Sequence, residues 1–368
     1  MKGFGRILLG LIIILIVAAC VFGVIYFSRF RTMSSIKKVT SYDSGYDLYR
    51  MDIQYDYSLD KIIASGITDD QSYVDAVLAE ALPYLPIHME APKFACSAFG
   101  VQTVEGDYLM GRNYDFKNDT SAMLVYATPK GGYKSVAFAA LDNVGANDAD
   151  KDLRSKLSCL AAPFLCLDGV NEKGMAIAVL TLDSQPARQN TGKPTIATTL
   201  AIRLVLDRAA TTAEAVDLLG QYDMFASSGR DYHFILSDAT GDTRVAEYDC
   251  LSEGRALVVT PIRTVTNFFE IYKDRVLPDQ HNDIYGHGRE RYDAIEAILT
   301  ENEGRITYDT AWQALQTAAQ TPKEGDVTSN TQWSIVFNKT ALTADIAIRR
   351  DWSAIYRYDL NTNGVTKQ

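Results

Sequence analysis

Residues 8–27 carry no charged side chain, and this apolar run constrains the chain before any other feature does. A helix of twenty residues rising ~1.5 Å per residue covers the roughly 30 Å hydrocarbon layer of a bilayer. We read it as one N-terminal transmembrane helix after a short tail. Two other readings share the pattern. A cleaved signal peptide has a similar apolar stretch, and Val17-Ala18-Ala19-Cys20 has the form of a lipobox with Cys20 as the lipidated residue. Residues 21–27 extend the apolar run past that cysteine, which favours an uncleaved anchor. Lys2 and Arg6 precede the run while Arg29, Arg31, Lys37 and Lys38 follow it, so counting positive charges gives no orientation. A short tail before a large C-terminal body is the pattern of a signal anchor. The expectation is a single-pass protein of the cell membrane with its body outside, released if later processing cuts the tether.

The rest of the chain is a globular body. With 368 residues, 47% of them apolar, there is material for one large core or two ordinary ones. Lys and Arg number 36 against 46 Asp and Glu, a net charge of -10, so no basic surface neutralises a phosphate backbone and nucleic acid is excluded as a partner. Five cysteines without a C-x-x-C pair make neither a disulfide scaffold nor a structural zinc site. The four histidines are His88, His233, His281 and His287. They form no H-E-x-x-H, only the loose pair His281 and His287, and no metal or other cofactor is expected.

Three segments follow from composition: a tail and span at 1–27, a leader at 28–95, and a body at 96–368. Residues 28–40 are basic and polar and read as a juxtamembrane linker able to touch anionic head groups. A helix is expected at 71–82, ended with the help of Pro83. Short alternating strands then fit residues 96–104, 108–114, 122–127, 135–140, 175–182, 232–236, 243–248 and 256–266. Helical periodicity fits 195–210, 213–222, 289–299 and 309–319, with Thr211 or Thr212 as an N-cap. A last hairpin is expected from 332–338 and 344–349, followed by 356–360. Blocks of strands and paired helices argue for an α+β fold, antiparallel sheets covered by helices.

The chemistry gathers around Cys96. Glu105-Gly106-Asp107 offers a tight turn between the first two strands. Folding about Gly106 sets Cys96 opposite roughly residue 116 and returns Gly111-Arg112-Asn113-Tyr114-Asp115-Phe116 beside the thiol. An arginine there favours a thiolate and a carboxylate can orient a neighbouring amine. A free cysteine in a strand is otherwise a small hydrophobe.

Cys96-Ser-Ala-Phe at a strand start, followed by Met110-Gly-Arg-Asn-Tyr-Asp-Phe116, resembles the choloylglycine hydrolase and penicillin V acylase family of N-terminal-nucleophile hydrolases, the linear amide C-N hydrolases. The likeness continues in order through Asp168-Gly-Val-Asn-Glu-Lys-Gly-Met175, Asp231-Tyr-His-Phe-Ile-Leu-Ser-Asp238, Val245-Ala-Glu-Tyr248, Thr264-Val-Thr-Asn267-Phe, Arg289-Glu-Arg291-Tyr and Thr331-Gln-Trp-Ser-Ile-Val336. It spans residues 96–360. The resemblance implies an αββα sandwich and Cys96 as nucleophile, flanked by Arg112 and Asp115. It also implies the side-chain amide of Asn267 in an oxyanion hole and Arg291, rather than Arg289, ordering the site. Thr181 stands where the family supplies a second oxyanion donor, and it departs from the asparagine of bile-salt hydrolases and from the aromatic of penicillin acylases. A backbone N–H there remains available.

The implied function is cysteine amidase action on a linear, non-peptide C–N bond of an N-acyl small molecule: a conjugated bile salt, penicillin V, an N-acyl amino acid or an N-acyl amine. A nucleophile at a chain terminus has its own α-amine as base, with a pKa of about 7.7–8.0. Since Cys96 lies behind 95 residues, cleavage between Ala95 and Cys96 is required, as in the family's propeptide-bearing branch. That cut severs the link to the span unless the leader stays bound.

Other motifs carry less. Ser34-Ser-Ile-Lys37 and Ser58-Leu-Asp-Lys61 match S-x-x-K but lie outside the catalytic body. His233 reads as a packed core residue, and Cys159, Cys166 and Cys250 as buried structural thiols. The alternatives to an amidase are an uncleaved, non-catalytic surface protein that binds through the same fold, or an acyltransferase of the same superfamily.

Overall fold

The computed structural model describes residues 2–42, 45–85, 95–281, 283–322 and 330–368. His88 and the residues just before the expected cut, 86–94, lie outside the described residues. Among the described residues two large sheets face each other. The first has nine strands that follow one another in space as they do in sequence: Lys37–Thr40, Leu48–Asp52, Ala122–Ala127, Ser135–Ala140, Cys166–Asn171, Ala176–Leu182, Asp231–Ser237, Thr243–Tyr248 and Leu257–Pro261. The second runs in the spatial order Thr264–Val265, Ala95–Thr103, Tyr108–Asp115, Thr331–Asn338, Thr343–Ile348, Tyr356–Asp359 and Gly364–Lys367, with Arg305–Ile306 also against Ala95–Thr103.

Period-two alternation in the second sheet separates two faces. Cys96, Ala98, Met110, Tyr114, Trp333, Ile335 and Phe337 join the core between the sheets. Phe99, Val101, Leu109 and Val336 instead meet Ile295, Leu299 and Leu315 of the helices Arg289–Glu301 and Tyr308–Ala318. Helix Thr198–Arg208 covers the outer face of the first sheet against Cys166–Asn171 and Ala176–Leu182. The layers are helix, sheet, sheet, helix.

Several expectations need correction. The helix that begins in the apolar run does not end with it: Lys2–Ser35 is one helix, since nothing between Phe27 and Ser35 breaks it. Residues 28–40 are therefore helix and edge strand rather than linker. Arg29 is buried, and its guanidinium donates to the carbonyls of Ala81 at 2.7 Å and Glu80 at 2.6 Å, capping the C-terminus of helix Asp70–Ala81. The leader segment packs against the body. Leu48–Asp52 pairs in parallel with Ala122–Ala127, the Tyr55 hydroxyl donates to the carbonyl of Leu160 at 2.6 Å, and Tyr57 bonds the Asp207 carboxylate at 2.9 Å.

The expected strand 256–266 is two strands in two sheets, because the chain leaves Leu257–Pro261 at Ile262 and enters the second sheet at Thr264. Residues 195–197 are strand, ahead of the helix expected from 195. Thr211 caps the next helix, accepting from the N–H of Glu214. Cys250 is half-buried, unlike the fully buried Cys159 and Cys166.

Candidate active site

The hairpin carrying Cys96 turns at residues 104–106, with Gly106 at φ 100. A three-residue loop centres the register on Glu105, so Cys96 pairs with Tyr114 and Ala95 with Asp115. The expected partner, residue 116, is two positions beyond.

Arg112 lies on the same inward face as Cys96, where its positive charge favours the thiolate. It is fully buried, ion-paired to Asp168 at 2.7 Å, and donates to the carbonyl of Val179 at 3.1 Å. Asp168 in turn accepts from the indole N–H of Trp333 at 3.3 Å. Burial pushes the Asp168 carboxyl up to about 6, against the pull of Arg112. Asp115 accepts from Thr331 Oγ1 at 2.6 Å and Gln320 Nε2 at 2.9 Å, with Arg291 Nη1 at 3.5 Å. Burial raises its carboxyl as well, despite those partners.

Asn267 follows the short strand Thr264–Val265, and Arg291 comes from the first turn of helix Arg289–Glu301. Asn267 Nδ2 donates to the carbonyl of Thr181 at 2.9 Å. Its Oδ1 accepts from Arg291 Nη2 at 2.8 Å and from the backbone N–H of Cys96 at 3.4 Å. Arg291 also donates to the carbonyl of Cys96 at 3.2 Å. Arg289 instead pairs with Asp293 at 2.8 Å on its own helix. The structure thus gathers Cys96, Arg112, Asp115, Asn267, Arg291 and Thr181, the last through its carbonyl rather than its N–H.

In the intact chain this cluster is buried. Cys96, Arg112, Asp115 and Asn267 are sealed from solvent, and burial pushes the Cys96 thiol up to about 12, although Arg112 opposes this. The nitrogen of Cys96 is an amide and cannot serve as base. His233 is packed in the core as expected, its Nε2–H donating to the carbonyl of Thr266 at 2.9 Å and its Nδ1 3.5 Å from Glu247.

Sequence reasoning gave no role to Asp168, Thr331, Gln320 or Trp333. Three of these four stand inside motifs already quoted, so the signal was their place in those motifs; Gln320 had none.

A model of the acyl-coenzyme A:6-aminopenicillanic acid acyl-transferase family matches residues 101–351. A comparison with curated proteins finds no match. Among solved structures, a variant of conjugated bile acid hydrolase from Clostridium perfringens is similar, with a TM-score of 0.54 and 15% identity over 74% of this chain and 96% of that one. Penicillin V acylase from Agrobacterium tumefaciens has a TM-score of 0.50 and 17% identity over 72% of this chain and 91% of its own. At such identities the likeness is one of fold, and it agrees with the two-sheet sandwich described above. The family model covers more than half of the residues, and the chain belongs to the acyl-coenzyme A:6-aminopenicillanic acid acyl-transferase family.

Proposed function

We propose that the chain is a self-contained cysteine amidase that becomes active when the bond between Ala95 and Cys96 is cut, and that it hydrolyses the linear amide of an N-acyl small molecule. The observation that carries this reading is the convergence of Arg112, Asp115, Asn267 and Arg291 on Cys96 at the start of a strand. Family membership and the similar fold of proteins named as a hydrolase and an acylase support it.

After the cut, the Cys96 nitrogen becomes an α-amine beside Asn267 Oδ1. It takes the thiol proton, and the sulfur attacks the amide carbonyl. Asn267 Nδ2 has two hydrogens. One is held by the carbonyl of Thr181, which fixes the amide plane, and the other is free to meet the oxyanion; the backbone N–H of Thr181 is the candidate second donor. The α-ammonium returns its proton to the leaving amine as the C–N bond breaks. Water then attacks the thioester, releasing the carboxylic acid and restoring the thiol.

The span at residues 8–27 is read as a membrane anchor, in keeping with the exposed apolar side chains of Leu11, Ile14 and Leu15, with the catalytic body outside the cell. The pairing of strand Leu48–Asp52 with Ala122–Ala127 and the contacts of Tyr55 and Tyr57 support a leader that stays bound after the cut, keeping the body at the membrane. A second reading, acyl transfer, is favoured by the description of the matching family: an amine in place of water resolves the same thioester.

Intact mass and N-terminal sequencing of an active preparation test the proposal. A fragment beginning at Cys96 is expected, absent activity in Cys96→Ala; full turnover by protein intact from residue 1 rejects the terminal-amine mechanism.

A further inference from the structure

Asn267 lies outside the ladders of both sheets. The strand Thr264–Val265 ends two residues before it, so the backbone that carries its side chain is fixed by other means. The peptide after it is held by the N–H of His287, which donates to the carbonyl of Asn267 at 2.8 Å. The peptide before it is held from the opposite sheet. There the carbonyl of Thr266 is 2.9 Å from Nε2 of His233, and His233 belongs to the strand Asp231–Ser237 of the first sheet. A carbonyl can only accept, so that ring nitrogen carries the hydrogen.

The imidazole is itself aimed. Glu247 follows Ala246, the partner of Phe234, so it stands across the strand pair from His233 and on the same face. Its Oε2 is 3.5 Å from Nδ1 of the ring. Two backbone donors fix the carboxylate in turn, the N–H groups of Glu270 and Ile271, each at 3.0 Å. His233, Glu247, Thr266 and Asn267 are all fully buried, so none of these groups trades its partner for bulk water. A packed core histidine needs only to have its nitrogens satisfied. This one directs its N–H to the peptide that leads into Asn267.

We propose that His233, oriented by Glu247, is a positioning residue for amide cleavage: it pins the peptide before Asn267 and so keeps Asn267 Nδ2 pointed at the oxygen of the tetrahedral intermediate. This rests on the amidase reading given above. Asn267 is held from both sheets, and its free N–H serves an oxyanion only while its backbone keeps a set distance from Cys96. The bond from His233 sets that distance on the side of the first sheet, and Arg291 sets it on the side of the second. Donors in a buried site act through geometry fixed in advance, and a displacement of about 1 Å costs on the order of 10² in rate. The planar substrate and product depend on that geometry far less than the tetrahedral oxyanion does.

The test uses full-length protein purified in detergent and shown by mass to be cut before Cys96, with penicillin V, glycocholate, N-decanoylglycine and N-decanoylethanolamine as substrates. On the fastest of the four, His233→Leu should lower kcat at least tenfold with KM within twofold. His233→Gln, whose amide can donate to the Thr266 carbonyl, should return kcat to within threefold of wild type. The aldehyde of the same acyl group reports the oxyanion directly: the Cys96 sulfur bonds its carbonyl carbon, the C=O π bond opens and the thiol proton ends on the oxygen. Its Ki should rise at least tenfold in His233→Leu, while the Ki of the planar carboxylic acid product stays within twofold. A kcat within twofold of wild type overturns the proposal and leaves the amidase intact. So do equal rises in both Ki values, or an equal loss of kcat in Ile235→Ala, a core residue of the same strand. If His233→Leu is not cut, Glu247→Gln decides by the same two inhibitors: a rise of at least fivefold for the aldehyde alone supports the proposal, and equal changes overturn it. Turnover of none of the four substrates by the cut wild type overturns both readings.

Discussion

One guanidinium spans both halves of the site: Arg291 donates to the carbonyl of Cys96 at 3.2 Å and to Oδ1 of Asn267 at 2.8 Å. A planar fork can hold two acceptors in fixed relation, and a lysine ammonium cannot. Arg291→Lys should therefore lower kcat at least tenfold with a smaller change in KM. Arg289→Lys, on a residue whose partner is Asp293 of its own helix, should stay within twofold. Steady-state kinetics on both variants decide the matter, and equal effects would remove Arg291 from its positioning role.

Loss of an oxyanion donor has a known scale. Asn267→Ala should reduce turnover on the order of 10²–10³. Near-normal kcat in that variant would mean the tetrahedral oxygen is held elsewhere.

Thiol reactivity should report the cut. Burial holds the Cys96 thiol up at about 12 in the intact chain, so at pH 7–9 it is neutral and a poor nucleophile. Iodoacetamide followed by peptide mass spectrometry distinguishes peptides that span residues 95 and 96 from those that begin at Cys96. Only the second kind should be labelled rapidly; equal labelling of both would separate reactivity from processing.

Asp168 gives a pH signature. Its folded value of about 6 lies above the ~3.9 of an unfolded aspartate, so the folded state takes up the proton first as pH falls. The stability from this group is fully present below about pH 4 and is lost as pH rises through about 6. Asp168→Asn cannot titrate. The Tm of the wild type minus that of the variant should fall between pH 4 and pH 7, and a rise over that window would contradict the burial of the charge.

The leader should outlast its peptide bond. Tyr55, Tyr57 and the strand Leu48–Asp52 tie it to the body. Cut protein in mild detergent should elute as one species containing fragments 1–95 and 96–368, which part only in denaturant. Spontaneous release of the larger fragment from membranes would show those contacts to be too weak.

Alternation of apolar and polar residues made most strands legible, because each side chain on a strand answers to one face. What stayed hidden depended on distant partners. The two-position slip in the Cys96 register came from a turn centred on Glu105 rather than Gly106, and moving a hairpin's centre by one residue shifts every partner by two without altering the pattern of either strand. The strand Cys166–Asn171 escaped notice because Asp168, Gly169 and Asn171 break its apolar run, and Asp168 is there to meet Arg112 across the gap between the sheets. Residues 257–265 read as one strand by their β-branched content, and the local mark of the change of sheet at Ile262 is Pro261 just before it, which cannot donate to a ladder. His287 looked like half of a loose histidine pair; its real companion, Asp183, is 104 positions away.

That change of sheet has a mechanical consequence. Cys96 rides on the second sheet, Thr181 on the first, and Asn267 hangs just past the crossing that joins them. The separation of Cys96 from Thr181, the nucleophile and an oxyanion donor of the proposed mechanism, is thus a gauge of how far apart the two sheets lie, and the spacers are ordinary core residues such as Phe138 and Phe337, whose rings meet at 6.2 Å. Volume changes there, remote from any reacting atom, would act on the reaction as a screw acts on a vice.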